Sequence, residues 1–198
     1  MDMGRAKTYP LDRRAVVAAL LRDRGDMLVV TGLGAPTWDA TAAGDSALTY
    51  PLWGAMGAAA MMGLGLALAQ PERRVLVLTG DGEMLMGLGA LTGIAVERPA
   101  NLSLVVLDNE RYGETGMQPT HTAGSVDLPG MAAAAGWPLT GTVADQAGLE
   151  AALPAILSAV GPVFHSVKVK AEELPLAMPP KDGAFLKDRF RLALLGTA

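Results

Sequence analysis

Short apolar runs separated by stretches of helical periodicity constrain this chain more than any other feature. The runs are Asp26–Thr31 (DMLVVT), Arg74–Thr79 (RVLVLT), Leu102–Leu107 (LSLVVL), Leu139–Val143 and Pro162–Val169 (PVFHSVKV). They are too short for stable helices and mostly apolar throughout, as expected of strands covered on both faces. Between them, helical spacing is expected over Leu11–Asp23, Leu52–Ala69, Glu83–Glu97 and Leu128–Ala135, and Asp145 reads as the N-cap of a helix running to Val160. Strands linked by helices predict an α/β fold: a mostly parallel sheet with helices on both faces. Gly34–Pro51 is expected as a loop and Asp108–Val126 as irregular. Residues 1–170 are read as one domain and residues 171–198 as an appendage. Within the latter, Glu172–Pro180 holds three prolines and reads as an extended arm. Beyond it Leu186, Phe190, Ala193 and Leu194 share one helical face, which must dock on its own domain or on a partner.

The segment Ser46–Pro71 carries no charge, and its length raises the possibility of a membrane span. It holds Gly54, Gly57, Gly63 and Gly65 and leads straight into a strand, so a buried helix covered on all sides is the preferred reading. The net charge of −4 comes with scattered Lys and Arg and no basic stripe, which argues against nucleic acid. With no cysteine, disulfides, cluster ligation and thiol nucleophiles are excluded. No signal-peptide pattern opens the sequence, and a cytoplasmic location is expected.

Gly80-Asp81-Gly82 falls where an expected strand hands over to an expected helix. Open α/β sheets bind ligands there, and a helix start offers unpaired N–H groups to phosphate oxygens. Alone the triplet is weak, since many such triplets are turns. Asn109 follows 28 residues after Asp81, at the end of the next strand. If those strands are neighbours, a carboxylate oxygen, an amide oxygen and a loop carbonyl can join phosphate oxygens and water in the octahedral shell of Mg²⁺. An Asx-turn at Asn109 is the competing reading for that residue alone. A carboxylate at a strand end also reads as solvent-accessible.

The segments GDGEMLMGLGAL and VVLDNERYG resemble the Gly-Asp-Gly…Asn signature of thiamine-diphosphate enzymes. PLWGAMGAAAMMGLGLALA is similar to the preceding helix of their decarboxylase branch, and the likeness covers roughly residues 10–170. It implies thiamine diphosphate and Mg²⁺ as cofactors, with Asp81, Asn109 and the carbonyl of Arg111 as metal ligands. The Gly80–Gly82 turn and the backbone of Gly82 and Glu83 would meet the diphosphate, and Tyr112 and Gly113 would border the cofactor. Met56 matches the bulky residue wedged beneath the cofactor rings, and an unbranched, polarizable side chain suits that concave space. Gly54 matches the position whose carbonyl accepts from the cofactor's 4′-amino group. Thr31 and Gly32 match a strand end that borders the cofactor. Glu83 stands where many members have a small residue, so its carboxylate must turn away or be neutralised. Thr115 stands where pyruvate-type decarboxylases carry an acid, and that role is not carried over.

The resemblance further implies decarboxylation of a 2-oxo acid, of the sulfopyruvate or phosphonopyruvate kind. In that family a glutamate on a separate pyrimidine-binding domain activates the cofactor. The expectation is therefore a partner chain supplying that domain and its glutamate, in a hetero-oligomer of at least α₂β₂ form. His121 could contact substrate or shuttle a proton, or be a surface-loop histidine; His165 reads as structural. An acetolactate-synthase-like carboligase subunit and a non-catalytic cofactor-binding or assembly subunit remain as alternatives.

Overall fold

The computed structural model describes residues 4–52 and 54–197. The elements, in order, are α1 (Arg13–Leu21), β1 (Leu28–Thr31), α2 (Ala35–Ala42), β2 (Thr49–Pro51), α3 (Ala59–Ala69), β3 (Val75–Gly80), α4 (Asp81–Met86), α5 (Ala90–Glu97) and β4 (Leu102–Asp108). A two-stranded ribbon follows, β5 (Arg111–Tyr112) and β6 (Gln118–Pro119), then α6 (Leu128–Ala135), β7 (Leu139–Val143), α7 (Gln146–Ser158), β8 (Val163–Lys168) and α8 (Gly183–Leu195).

Six strands form one sheet in the order β2-β1-β3-β4-β8-β7, every pair parallel, as the buried runs imply. Alternate residues feed two cores. Val75 and Val77 of β3, with Leu102, Leu104 and Val106 of β4, face α3, α5, α6 and α8. Leu76, Leu78, Val105 and Leu107 face α1, α2 and α7. This two-sided burial explains why the strands read as continuous apolar runs rather than alternating ones.

Several expected boundaries are corrected. The helix expected over Leu52–Ala69 spans only Ala59–Ala69; Gly57, at φ +84°, turns the chain ahead of it, a conformation that stops a helix and suits glycine. Trp53, inside the expected helix, lies outside the described residues. No helix among those residues is long and apolar enough to cross a membrane. Instead Ala60, Leu64 and Ala67 of α3 are buried in the sheet-facing core while Met61, Met62 and Leu68 are exposed. The expected helix Glu83–Glu97 is two helices, α4 and α5, interrupted at Gly87-Leu88-Gly89. The expected loop Gly34–Pro51 holds α2, entered through Pro36 in its first turn, and the edge strand β2. Asp12, Asp127 and Asp145 each cap a helix, accepting from Ala15, Gly130 and Gly148 N–H respectively.

The C-terminal helix docks on its own chain. Leu186 and Phe190 are buried, the Phe190 ring meets Tyr50 edge-on at 5.3 Å, and Arg189 pairs with Asp45 at 2.6 Å. Asp182 caps it, accepting from the N–H groups of Ala184 and Phe185.

Candidate cofactor site

The chain leaves β1 for β2 on one side and later returns to place β3 on the other, so strand order reverses between β1 and β3. A crevice opens beyond the carboxyl ends of strands at such a point. Gly80 stands in register with Leu107, which brings Asp81 and Asn109 out of neighbouring strand ends. Helix α4 begins at Asp81 with no intervening residue, and the first N–H groups of any helix lack intrahelical partners. An open cleft of about 630 Å³ lies here, lined by Gly80, Asp81, Gly82, Glu83, Asn109, Arg111, Tyr112 and Gly113 together with Met56 and Leu33.

Asp81 is buried, not solvent-accessible as a strand-end position suggests. The ribbon folds back over it: Thr120 Oγ1 donates to Asp81 Oδ2, and Thr122 Oγ1 reaches both Asp81 Oδ2 (3.0 Å) and Asp108 Oδ1 (2.8 Å). Burial, then the neighbouring Asp108 charge, pushes the Asp81 carboxyl up to about 7, against the opposing pull of the threonine hydroxyls. A cation at Asp81, which lines the cleft, would relieve that burden. Asp108 itself is paired with Lys168 Nζ at 2.7 Å.

Asn109 does make an Asx-turn, its Oδ1 accepting from Arg111 N–H at 2.9 Å. An amide oxygen has two lone pairs, so one is left for a cation. The turn and the ligand readings are therefore compatible. Arg111 is buried, with Nη1 donating to the carbonyl of Glu110 at 2.7 Å, and the Tyr112 ring lies against Gly82, where a Cβ would sit 2.3 Å from Cε1.

Glu83 lines the cleft, and its carboxylate is held by surrounding donors. Thr79 Oγ1 donates to Oε2 at 2.7 Å, Ala59 N–H reaches Oε1 at 3.4 Å, and the N–H groups of Leu33 and Gly57 add to these. Burial still outweighs these donors and pushes its pKa up. A Cβ at Gly32 would fall 1.5 Å from Glu83 Oε2, so a larger residue there would push that carboxylate off its donors. Thr31 is fully buried, its hydroxyl 2.7 Å from that of Thr37, so it stands behind the cleft rather than on its wall. Gly54 borders a different cleft with Tyr50, Leu52 and Lys181. His121 is exposed on the turn between Thr120 and Thr122 and is absent from the cleft lining. Met56 is on the wall and 40% exposed.

Sequence reasoning missed Thr120, Thr122, Lys168 and the side chain of Glu110. Hydroxyl residues in a polar loop carry no distinguishing pattern. Lys168, a charge at the end of a mostly apolar strand, is the one legible anomaly; the full burial of Glu110 emerges only in the fold.

A carboxylate, an amide oxygen and a helix start on one cleft suit a hard cation carrying phosphate oxygens. Comparison with known proteins agrees with that chemistry. Residues 33–167 match the family described as thiamine pyrophosphate enzyme, C-terminal TPP binding domain. The chain is 40% identical over 165 residues to sulfopyruvate decarboxylase subunit beta of Methanothermobacter thermautotrophicus, covering 83% of this chain and 85% of that one. It is 34% identical over 189 residues to phosphonopyruvate decarboxylase of Streptomyces viridochromogenes, covering 95% of this chain but only 47% of that one. In fold it is similar to a thiamine diphosphate-dependent 4-hydroxybenzoylformate decarboxylase of Rhodococcus jostii, with a TM-score of 0.68 at 22% identity, over 84% of this chain and 34% of that one. By its sequence match, its parallel sheet and the cleft at the sheet's switch point, the chain belongs to the thiamine pyrophosphate enzymes, through their C-terminal TPP-binding domain.

Proposed function

We propose that this chain is the diphosphate- and Mg²⁺-binding subunit of a thiamine-diphosphate-dependent 2-oxo acid decarboxylase, of the sulfopyruvate or phosphonopyruvate kind. The observation that carries it is the placement of Asp81 and Asn109 at adjacent strand ends, on one cleft with the start of α4. Asp81, Asn109 and the carbonyl of Arg111 would hold the ion, and the backbone of Gly80–Glu83 the diphosphate. Met56, on the same cleft, would support the rings from beneath. The chemistry the cofactor supplies, when bound, is that of an electron sink for the pair left as CO₂ departs. What the chain contributes is positioning. Glu83 keeps its charge off the diphosphate by accepting from Thr79 and from backbone N–H groups, and in doing so ties the Met56 loop to α4. Gly54, Thr31 and Gly32 would act from behind or beside this wall.

A partner chain is part of the reading. A relative of which this chain spans 85% is named a beta subunit, so activity is expected to require a second subunit, one bearing the pyrimidine-binding domain and its glutamate. Met61, Met62, Leu68 and Met86 offer exposed apolar surface suited to such an association, which we place in the cytoplasm as at least an α₂β₂ assembly. A carboligase would use the same half-site, and an acetolactate synthase matches 70% of this chain at 30% identity, but the relatives at 34–40% identity over 83–95% of it carry decarboxylase names. The test is co-purification of the partner, followed by CO₂ release and identification of the product from a panel of 2-oxo acids. Release of CO₂ with an aldehyde supports the proposal. A hydroxy-keto product would assign the chain to the carboligases, and absence of cofactor binding would make it an assembly subunit.

A further inference from the structure

Between the two residues proposed to flank the ion, the chain does something costly. Glu110 adopts φ +59°, the left-handed region that disfavours side chains, and its side chain is fully buried. An unassisted loop would place glycine there. What holds Glu110 is a set of donors from the end of the neighbouring strand β8 and from the N-terminal segment. Tyr9 Oη donates to its Oε1 at 2.6 Å, Arg5 Nη2 at 2.7 Å and Lys168 Nζ at 3.0 Å. Burial disfavours the ionised carboxyl, yet these donors together keep its pKa below the ordinary range. The backbone of Glu110 is fixed as well: its N–H donates to Asp108 Oδ1 at 3.1 Å, and its carbonyl accepts from Thr120 N–H and Arg111 Nη1. The N-terminal segment is in turn laced to the strand end, Ala171 N–H donating to the Ala6 carbonyl and Lys170 N–H to that of Leu11.

We infer that Glu110 is a positioning residue, and that Arg5, Tyr9 and Lys168 form a clamp which sets the orientation of Asn109 and of the Arg111 carbonyl toward the Mg²⁺ site. The inference rests on the metal reading above. Glu110 touches neither the ion nor the substrate; it fixes the peptide units on either side of itself. Partners that hold metal ligands in place characteristically change affinity about 10- to 100-fold when removed. A merely structural carboxylate would instead change the fraction of folded protein.

The experiment measures thiamine diphosphate bound by the reconstituted chain–partner complex, by equilibrium dialysis, as Mg²⁺ is titrated at fixed cofactor. For Glu110→Ala the Mg²⁺ concentration at half-saturation should rise at least about tenfold, with full binding capacity regained at high Mg²⁺. Glu110→Gly loses the clamp but not the backbone freedom, and should fall between wild type and Glu110→Ala. Tyr9→Phe and Arg5→Gln, each removing one donor at the rim, should give smaller rises with unchanged capacity. Their effects should vanish when combined with Glu110→Ala, as coupling through one carboxylate requires. Half-saturation within twofold of wild type for Glu110→Ala, or a loss of capacity that Mg²⁺ does not restore in the rim variants, would overturn the clamp while leaving the metal site standing. Wild-type complex that binds cofactor equally well without a divalent ion would remove the metal site and the clamp with it.

Discussion

Replacing Asp81 by Asn should make the metal-free protein more stable at alkaline pH while abolishing Mg²⁺-dependent cofactor binding. Asp81 is 2% exposed, and burial with the Asp108 charge lifts its carboxyl from an ordinary 3.8 to about 7. At about 1.4 kcal/mol for each pH unit, the ionised form costs the fold roughly 4 kcal/mol above pH 7. The sign follows from proton binding. The folded state holds a proton that the unfolded state releases, so stability rises as pH falls through 7 and levels off below about 4. Asn keeps the shape and never ionises. Its amide is a poorer partner for the Thr120 and Thr122 hydroxyls, which gives back about 1–2 kcal/mol. The net gain should be about 2 kcal/mol at pH 8.5 and should shrink toward zero or reverse by pH 5. Urea unfolding of both proteins at pH 8.5, 7 and 5 measures this directly. An Asn variant that is less stable at pH 8.5, or a difference that does not change with pH, would refute the reasoning.

Three further outcomes are expected. Met56→Ala should keep cofactor affinity within about tenfold while turnover falls much further, because the diphosphate anchors supply affinity and the wedge supplies geometry; dialysis and steady-state rates compare the two. The apparent Mg²⁺ affinity of the wild-type complex should fall about tenfold per pH unit below 7, since the ion must displace the Asp81 proton, as a pH series of Mg²⁺ titrations would show. Phe190→Ala should cost about 3 kcal/mol by emptying the contact with Tyr50, and should speed amide exchange in α8 while β3 and β4 stay protected.

The parallel sheet was legible because both of its faces are buried. Runs such as RVLVLT and LSLVVL have no polar face to read as anything else. The Asp145 cap was legible for a local reason, a single carboxylate accepting from an N–H three residues on. What local pattern could not show was the effect of isolated glycines and of distant packing. Gly57 and the Gly87-Leu88-Gly89 break cut two long helical periodicities short, and α2 hides behind a sequence (APTWDATA) with little helical propensity, held by Arg13 and Arg14 on the fully buried Asp39. The site divided the same way. Asp81 and Asn109 were visible through spacing along adjacent strands. The hydroxyls of Thr120 and Thr122, the clamp on Glu110 and the donors around Glu83 depend on segments up to 105 residues apart in sequence, which no local pattern encodes. Gly54 was carried by resemblance alone and His121 by its place on the loop after the motif, and neither lines the cleft.

The most direct test replaces Mg²⁺ by Mn²⁺ and locates it by anomalous diffraction from crystals of the chain–partner complex grown with thiamine diphosphate. One strong peak is expected between the ends of β3 and β4, within coordination distance of Asp81 and Asn109 oxygens and of the Arg111 carbonyl. A complex that holds the cofactor with no peak there, or with its only peak at other residues, would contradict the metal assignment.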